Sequence, residues 1–354
     1  MKNLKVKLIS FLMLTFVMVS CGSDEPIAIT PPLNEVLENL NNGIMEGKLS
    51  EDYTLDPTIQ YSLRGAFIIE NNGILTIPAG TIITADSGGT EVYIAVLQGG
   101  EININGNAGN PVVMSSATGS PGDWGGLTLC GNASTTAGVD ASAEVGGFIY
   151  GGTDDVDSSG IIRYLQIVGT GAQINPESQY NGISFYGVGS GTLVDHVAII
   201  NGSDDGVEFF GGTVAVSNLY LENNDDDSID WTEGWSGSVT NAYISHTVAG
   251  FSTVFEGDKD NANPTFTNIT AVSSVGGTGL QFKKESGATI TGLHLVGYDV
   301  DLDMKDNGAL SNVQIDGATA DAVLYAGETN KYKLNSGNDA VPLDVSRWSW
   351  IRAY

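Results

Sequence analysis

The sequence is poor in positive charge, in cysteine and in long apolar runs, and each shortage removes a class of function. Lys and Arg together number 14 against 42 Asp and Glu, a formal net charge of -28. Nucleic acid is therefore excluded as a partner, because a binder must neutralise phosphates with a basic surface. Acidity of this degree keeps an exported protein soluble or marks calcium sites. Of two cysteines, Cys130 follows Leu127 and Leu129 in GGLTLCGNA with no histidine nearby in sequence, so it reads as a small hydrophobe at a turn edge. The histidines His196, His246 and His294 have no metal-ligand spacing and give no zinc site. The one long apolar run, LISFLMLTFVMVS, is too short to span a bilayer.

What the chain has in quantity is glycine, 47 residues, and a repeat. Between Asn181 and Thr319 a pattern of about two dozen residues recurs six times. Each copy holds a run with apolar residues mostly two apart: LVDHVAII, VAVSNLYLE, GSVTNAYIS, PTFTNITAV, ATITGLHLV and GALSNVQID. The central polar residues are His196, Asn218, Asn241, Asn268, Gly292 and Asn312, giving steps of 22, 23, 27, 24 and 20 residues. A second strand follows about a dozen residues later, in GVEFFGG, SIDWTEG, GLQFKK and DVDLDM, with GISFYG one coil earlier. Alternation puts Ile183/Phe185, Val207/Phe209, Ile229/Trp231, Leu280/Phe282 and Val300/Leu302 on one face. Ser184, Glu208, Asp230, Gln281 and Asp301 fall on the other, and stacking should bury the first set and expose the second.

Units this short, with no helical period, cannot make βαβ crossovers. They suit an all-β, single-stranded parallel β-helix, a solenoid rising one strand spacing per coil. In such a stack Asn218, Asn241 and Asn268 should form one column of mutually bonded amides. PPLNEVLENLNNGIMEG (31–47) places Leu33, Val36, Leu37, Leu40 and Ile44 on one helical stripe, an N-terminal capping helix for the raw apolar end. The division expected is 1–20 leader, 21–60 tether and capping helix, 61–319 β-helix and 320–354 C-terminal cap, the last closed by Trp348, Trp350 and Tyr354.

The leader reads as a signal peptide, with Lys2, Lys5 and Lys7 before the apolar run. MVSC (18–21) resembles a lipobox, which implies acylation of Cys21 and leaves Cys130 without a disulfide partner. Gly22, Ser23, Asp24 and Glu25 resemble the acidic tag of Bacteroidota lipoproteins sent to the outer leaflet of the outer membrane. The expected address is that surface, facing outward, with the acyl group as the sole membrane attachment. LTIPAGTIITA, GNAGNPVVMSS and GDWGGLTLCGNA, then residues 141–171 and NGSDDGVEFFGG, resemble a widespread group of secreted bacterial right-handed β-helix proteins. The resemblance covers about residues 60–320 and implies a surface or secreted right-handed β-helix, with no assigned activity. Pectate lyases and polygalacturonases share the architecture, but the chain lacks their GHG, RIK and NTD signatures.

Chemistry is expected at the acids. Asp205 and Asp227 lie nine residues past their anchors on neighbouring coils, with Asp204 and Asp226 beside them, and Glu208 and Asp230 follow in the strands. Coils about 4.8 Å apart set like charges repelling by roughly 3.5 kcal/mol at an effective dielectric near 20. Calcium held by Asp204, Asp205, Asp226 and Asp227, solvation in an open turn, or a Glu208/Asp230 acid and base pair would each compensate. Lys259, Lys283, Lys284 and Lys305 either pair with neighbouring acids or, at Lys283, assist catalysis or hold an acidic sugar. Tyr220, Tyr243 and His294 are outward on the anchor strands and offer a sugar-binding platform. Two functions stand: a non-catalytic surface lipoprotein binding glycan or acting in adhesion, and a calcium-dependent polysaccharide lyase or glycoside hydrolase. A structural spacer is a third.

Overall fold

Each coil is built of short strands that return to the same place one turn later, and nearly all pairing is parallel. The computed structural model describes residues 33–176, 178–319, 322–324, 330–334 and 340–353. The leader, Cys21 and Tyr354 lie outside them. Strand pairing resolves three faces. Face A runs through Asp52–Thr54, Ile74–Pro78 and Glu101–Asn105. Face B runs through Ile82–Ala85 and Val112–Ser116, and face C through Tyr93–Val96, Leu127–Cys130, Ile183–Tyr186 and Val207–Phe210.

Faces A and B fuse in the second half. The strand Gly160–Val168 pairs with Glu101–Asn105 through its first residues and with Val112–Ser116 through its last. Every later anchor strand is likewise bent at one residue of positive φ: His196 58°, Asn218 56°, Asn241 59°, Asn268 59° and Gly292 70°. Asn tolerates this left-handed conformation because its short polar side chain bonds locally. The ladder forms as expected. Asn241 Nδ2 donates to Asn218 Oδ1 at 3.0 Å, Asn268 Nδ2 donates to Asn241 Oδ1 at 2.7 Å, and Asn218 Nδ2 starts the run on Asp195 Oδ1 at 2.7 Å. The last anchor differs from expectation. Asn312 lies in a short 3-10 turn, and the pairing of Val313–Ile315 with Ala288–Ile290 places Gly317, φ 81°, on the rung of Gly292.

The inward set is buried as expected: Ile183, Phe185, Phe209, Ile229, Leu280, Phe282 and Leu302 are sealed. Aromatics stack along the axis, Phe185 to Phe209 at 5.1 Å and Phe209 to Trp235 at 4.0 Å between centroids. The helix Leu33–Asn41 buries Val36 and Leu40 in this core. Gly43, φ 77°, ends it, so Ile44 is a strand residue and the first parallel pairing begins there, inside the stretch assigned to tether and cap.

The C-terminal segment divides its work. Lys331–Leu334 pairs antiparallel with Val300–Met304 and covers the last edge of face C. Residues 340–353 instead run back along the flank of face B. His294 Nδ1 bonds the Ala340 carbonyl at 3.1 Å, Leu343 N–H donates to Thr270 Oγ1 at 2.8 Å, and Gln166 holds both the N–H and the carbonyl of Arg352. Trp350 packs edge-on to Tyr164 and His196, so the tryptophans cover a corner and do not close an end.

Candidate functional site

Face C carries the acids. Pairing sets Thr128, Ser184, Glu208, Asp230, Glu256, Gln281 and Asp303 in one outward column on successive strands. Three carboxylates thus stand on consecutive rungs about 4.8 Å apart. A second column lies in the turn that enters the face. There the Asp227 N–H donates to Asp205 Oδ1 at 2.9 Å, and the Thr253 hydroxyl donates to Asp227 Oδ1 at 2.6 Å. Asp204 is half-buried beside them and accepts from Gln179 Nε2 at 3.0 Å, while Asp226 is exposed.

The expected exposure of this outward face is corrected. Ser184, Glu256, Gln281 and Asp301 are buried and Glu208 and Asp230 half-buried. Asp301 is covered by the strand Lys331–Leu334, whose Lys333 Nζ and Leu334 N–H donate to its carboxylate at 3.2 and 3.0 Å, whereas over Glu208 and Asp230 the cover is a long insertion between Leu127–Cys130 and Ile183–Tyr186, which contributes two hairpins. One pairs Ala141–Ser142 with Ile149–Tyr150, and the other Gln173–Asn175 with Ser178–Gln179. Glu144 from the first and Gln173, Pro176, Ser178 and Gln179 from the second wall a cavity of about 280 Å³. Its floor is Asp204, Asp205, Glu208, Asp226 and Asp230. Beyond the first hairpin a second hollow, about 540 Å³, is lined by Glu70, Asn71, Leu97, Gln98, Gly147, Phe148 and Ile149.

The strand column is satisfied at both ends and open in the middle. Asn181 Nδ2 donates to Glu208 Oε2 at 2.7 Å and to Ser184 Oγ at 3.1 Å. Gln281 Nε2 and Lys283 Nζ donate to the two oxygens of Glu256. Between them Asp230 Oδ1 is buried with no hydrogen-bond partner among the described residues, and so is Asn181 Oδ1.

Burial holds the carboxyls of Asp205, Glu208, Asp227 and Asp230 well above their ordinary range, and their like-charged neighbours add to the effect. Asp204 is pushed up to about 7, chiefly by burial and then by Asp226, against the opposing bond from Gln179. Burial would lower Lys283, but its bond to Glu256 and the surrounding acids outweigh that and raise it. Burial also raises the Cys130 thiol to about 12, in keeping with a packed hydrophobe.

The six acids expected to carry chemistry, Asp204, Asp205, Glu208, Asp226, Asp227 and Asp230, are in or beside this groove. Oxygens of Asp204, Asp205 and Asp226 lie within 4.8 Å of one another, as do those of Asp205, Glu208 and Asp230, and those of Asp227, Asp230 and Glu256. Lys283 reaches the column, whereas Lys284 pairs with Asp258 at 3.0 Å outside it. Sequence reasoning missed Glu256, which lies 15 residues past Asn241 where Glu208 and Asp230 lie 12 past their anchors, although pairing puts Phe255 and Glu256 level with Ile229 and Asp230. It also missed Asn181, Gln179 and Glu144, which arrive from the insertion and carry no repeat signal.

Tyr220, Tyr243 and His294 lie elsewhere, on face B, in the column Gln166, Ala198, Tyr220, Tyr243, Thr270, His294. The two tyrosine rings stack at 5.7 Å and 8°. The C-terminal segment is fastened to this column at Gln166, Thr270 and His294. The carboxylate groove and the aromatic column are thus on different faces.

A family model described as a pectate-lyase-like β-helix domain matches residues 47–347. No curated protein and no solved structure matches the chain.

Proposed function

Since the chain belongs to the pectate-lyase-like β-helix domain family, we propose that it acts on polysaccharide as a glycoside hydrolase working in the carboxylate groove. The observation that carries this reading is the half-buried Glu208/Asp230 pair on adjacent rungs at the floor of the cavity. Hydrolysis of a glycosidic bond needs one carboxylic acid and one carboxylate, held apart in protonation by their surroundings. Asp230, flanked on both sides by carboxyl groups, keeps its proton and gives it to the leaving oxygen. Glu208, steadied by the Asn181 N–H, is the carboxylate that attacks or stabilises the anomeric carbon. Water then completes the cleavage and returns the proton. Oxygens within 4.8 Å suit the close pair of retaining enzymes, about 5 to 5.5 Å between carboxyl groups, better than the wider inverting arrangement.

A lyase is less well supported. Proton abstraction beside a uronate carboxylate needs cations to neutralise that group, and Lys283, the lysine that reaches the column among the described residues, is engaged by Glu256. A divalent cation would change this balance. The donors are all oxygen and Asp230 Oδ1 has no partner among the described residues, which fits a hard ion such as calcium. Asp204, Asp205 and Asp226, with Asp227 behind them, would hold it, and bound there it would supply charge neutralisation. The finer address is part of the same proposal: acylated at Cys21, the domain would work on glycan at the outer face of the outer membrane. Lipid on Cys21, seen by mass spectrometry of the membrane-extracted protein, checks this.

The deciding experiment incubates the protein with acidic and neutral polysaccharides, in EDTA and in Ca²⁺, and reads chain length and retention. Depolymerisation in EDTA that falls at least about 100-fold in Glu208→Gln is the expected result. Retention without cleavage would replace the hydrolase with a glycan-binding surface protein. Cleavage only of uronates and only in Ca²⁺ would favour the lyase.

A further inference from the structure

The hollow beyond the first hairpin has no role in the cleavage chemistry, yet it is built like a binding site. Its volume, about 540 Å³, falls in the range of ligand pockets, roughly 300 to 1,000 Å³. Leu97, Phe148 and Ile149 give it apolar surface, while Glu70, Asn71 and Gln98 give it polar groups. Several of these are fixed in place. The Phe148 ring lies over Gly146, where a Cβ would come within 2.4 Å of it, and packs on Tyr93 at 6.2 Å between centroids. Gln98 Nε2 donates to the carbonyls of Gly131 and Gly151, both at 3.1 Å, which occupies its two N–H bonds and leaves Oε1 as the atom it can offer. Glu70 is paired with Lys48 at 2.9 Å, so the charge in this lining is offset, unlike that of the groove. Ile149 is left 46% exposed.

Resting on the polysaccharide reading above, we propose that this hollow is a second glycan subsite, which takes an uncharged pyranose unit of the same chain that the groove cleaves. A pyranose has apolar C–H faces and a rim of hydroxyls, and the hollow supplies a partner for each. Phe148, Leu97 and Ile149 meet the C–H face. Glu70 and Gln98 Oε1 accept from hydroxyls, and the Asn71 amide both donates and accepts. A wholly apolar guest would seal these polar groups from water without partners, and a uronate would set its carboxylate against Glu70. The position suits one chain touching both cavities. Glu70 and Leu97 follow the first rungs of face C, Ala66–Ile69 and Tyr93–Val96. Glu208 lies three rungs beyond the second of these, through Leu127–Cys130 and Ile183–Tyr186. Three rungs are about 14 Å, the reach of a short oligosaccharide. The hairpin that pairs Ala141–Ser142 with Ile149–Tyr150 stands between and walls both, with Glu144 on the groove and Gly147, Phe148 and Ile149 on the hollow.

The test is titration calorimetry in EDTA on Glu208→Gln, in which the proposed cleavage is blocked, with cellohexaose, xylohexaose, mannohexaose and hexagalacturonate. At least one neutral hexasaccharide should bind, and adding Phe148→Ala should weaken it about tenfold. Ile149→Ser, at a position already half exposed, should weaken it about threefold, and Phe148→Tyr, which keeps the ring, should leave it unchanged. All three should keep the wild-type circular dichroism. Whatever affinity hexagalacturonate has should not move with Phe148. With Glu208 intact, Phe148→Ala should raise KM for the neutral hexasaccharide about tenfold and leave kcat as it was. No heat from any neutral hexasaccharide, affinities unmoved by both Phe148→Ala and Ile149→Ser, or an equal Phe148 dependence for hexagalacturonate overturns the inference. The two readings fail separately. Cleavage that needs Glu208 with a KM indifferent to Phe148 removes only this subsite. Neutral binding that needs Phe148, with no cleavage of any polymer, removes only the hydrolase.

Discussion

Asn241 shows what one residue does in this fold. It adopts φ 59°, accepts from Asn268 and donates to Asn218, and so serves two coils at once. Replacing it with Ala removes two side-chain bonds, about 1 kcal/mol each, and leaves a Cβ in a left-handed conformation, roughly 1 kcal/mol more. Asn241→Ala should therefore lose about 3 kcal/mol by denaturant unfolding, and Asn241→Gly less, because Gly adopts that φ freely. Equal losses would mean that the ladder bonds alone matter. This column was legible because its step is regular and Asn in a turn has a known chemistry. Glu256 was not, since the 27-residue step between Asn241 and Asn268 hides its strand. Asn312 misled for the opposite reason: LSN imitates the VSN and VTN of true anchors, but the chain turns once more and Gly317 takes the corner.

At the scale of elements, the strands announced themselves and the covers did not. Period-two alternation fixes which side of a strand faces the core, and the inward residues were accordingly read correctly. It says nothing about what later lands on the outward side. The two hairpins and the C-terminal segment are long-range arrivals without a repeat, and they turn face C into a groove and occupy part of face B. The C-terminal segment is held at Gln166, whose amide takes both backbone groups of Arg352 in a pair of hydrogen bonds, and at Thr270 and His294. Gln166→Ala should free its far end. Hydrogen exchange of residues 346–352 is then expected to quicken at least about tenfold while Asn241 and its neighbours are unchanged. If glycan retention also rises in this variant, and falls again when Tyr220 and Tyr243 are both Ala, the tyrosine column is a binding surface that the segment screens. Unchanged retention assigns all binding to face C.

For the whole molecule, the groove dictates an unusual dependence of stability on pH. A carboxyl raised in the folded state holds its proton there while the unfolded chain has lost it. The folded state then binds more protons, and stability falls as pH rises from the ordinary carboxylate range through the raised value. Asp204 alone places that window at about 4 to about 7, and Asp205, Glu208, Asp227 and Asp230, raised by burial and by one another, act in the same direction. His246 works in the opposite direction. Sealed against Phe251 and bonded to Ser228 and Tyr298, it is held neutral with its pKa lowered to about 4 by burial. Its contribution is complete above about 6.5 and is lost as pH falls through about 4. One histidine is outnumbered by five carboxyls, so the melting temperature should decline from pH 5 to pH 8 in EDTA and low salt. Asp230→Asn, which keeps the shape and removes the charge, should raise the melting temperature more at pH 8 than at pH 5, because a raised carboxyl holds more of its proton at the lower pH. Ca²⁺ at pH 8 would restore wild-type stability if the acids hold a cation, and would do less for the variant. A wild-type protein equally stable at both pH values would mean that the groove is wetter than its packing implies, and the acid and base assignment to Asp230 and Glu208 would fall with it.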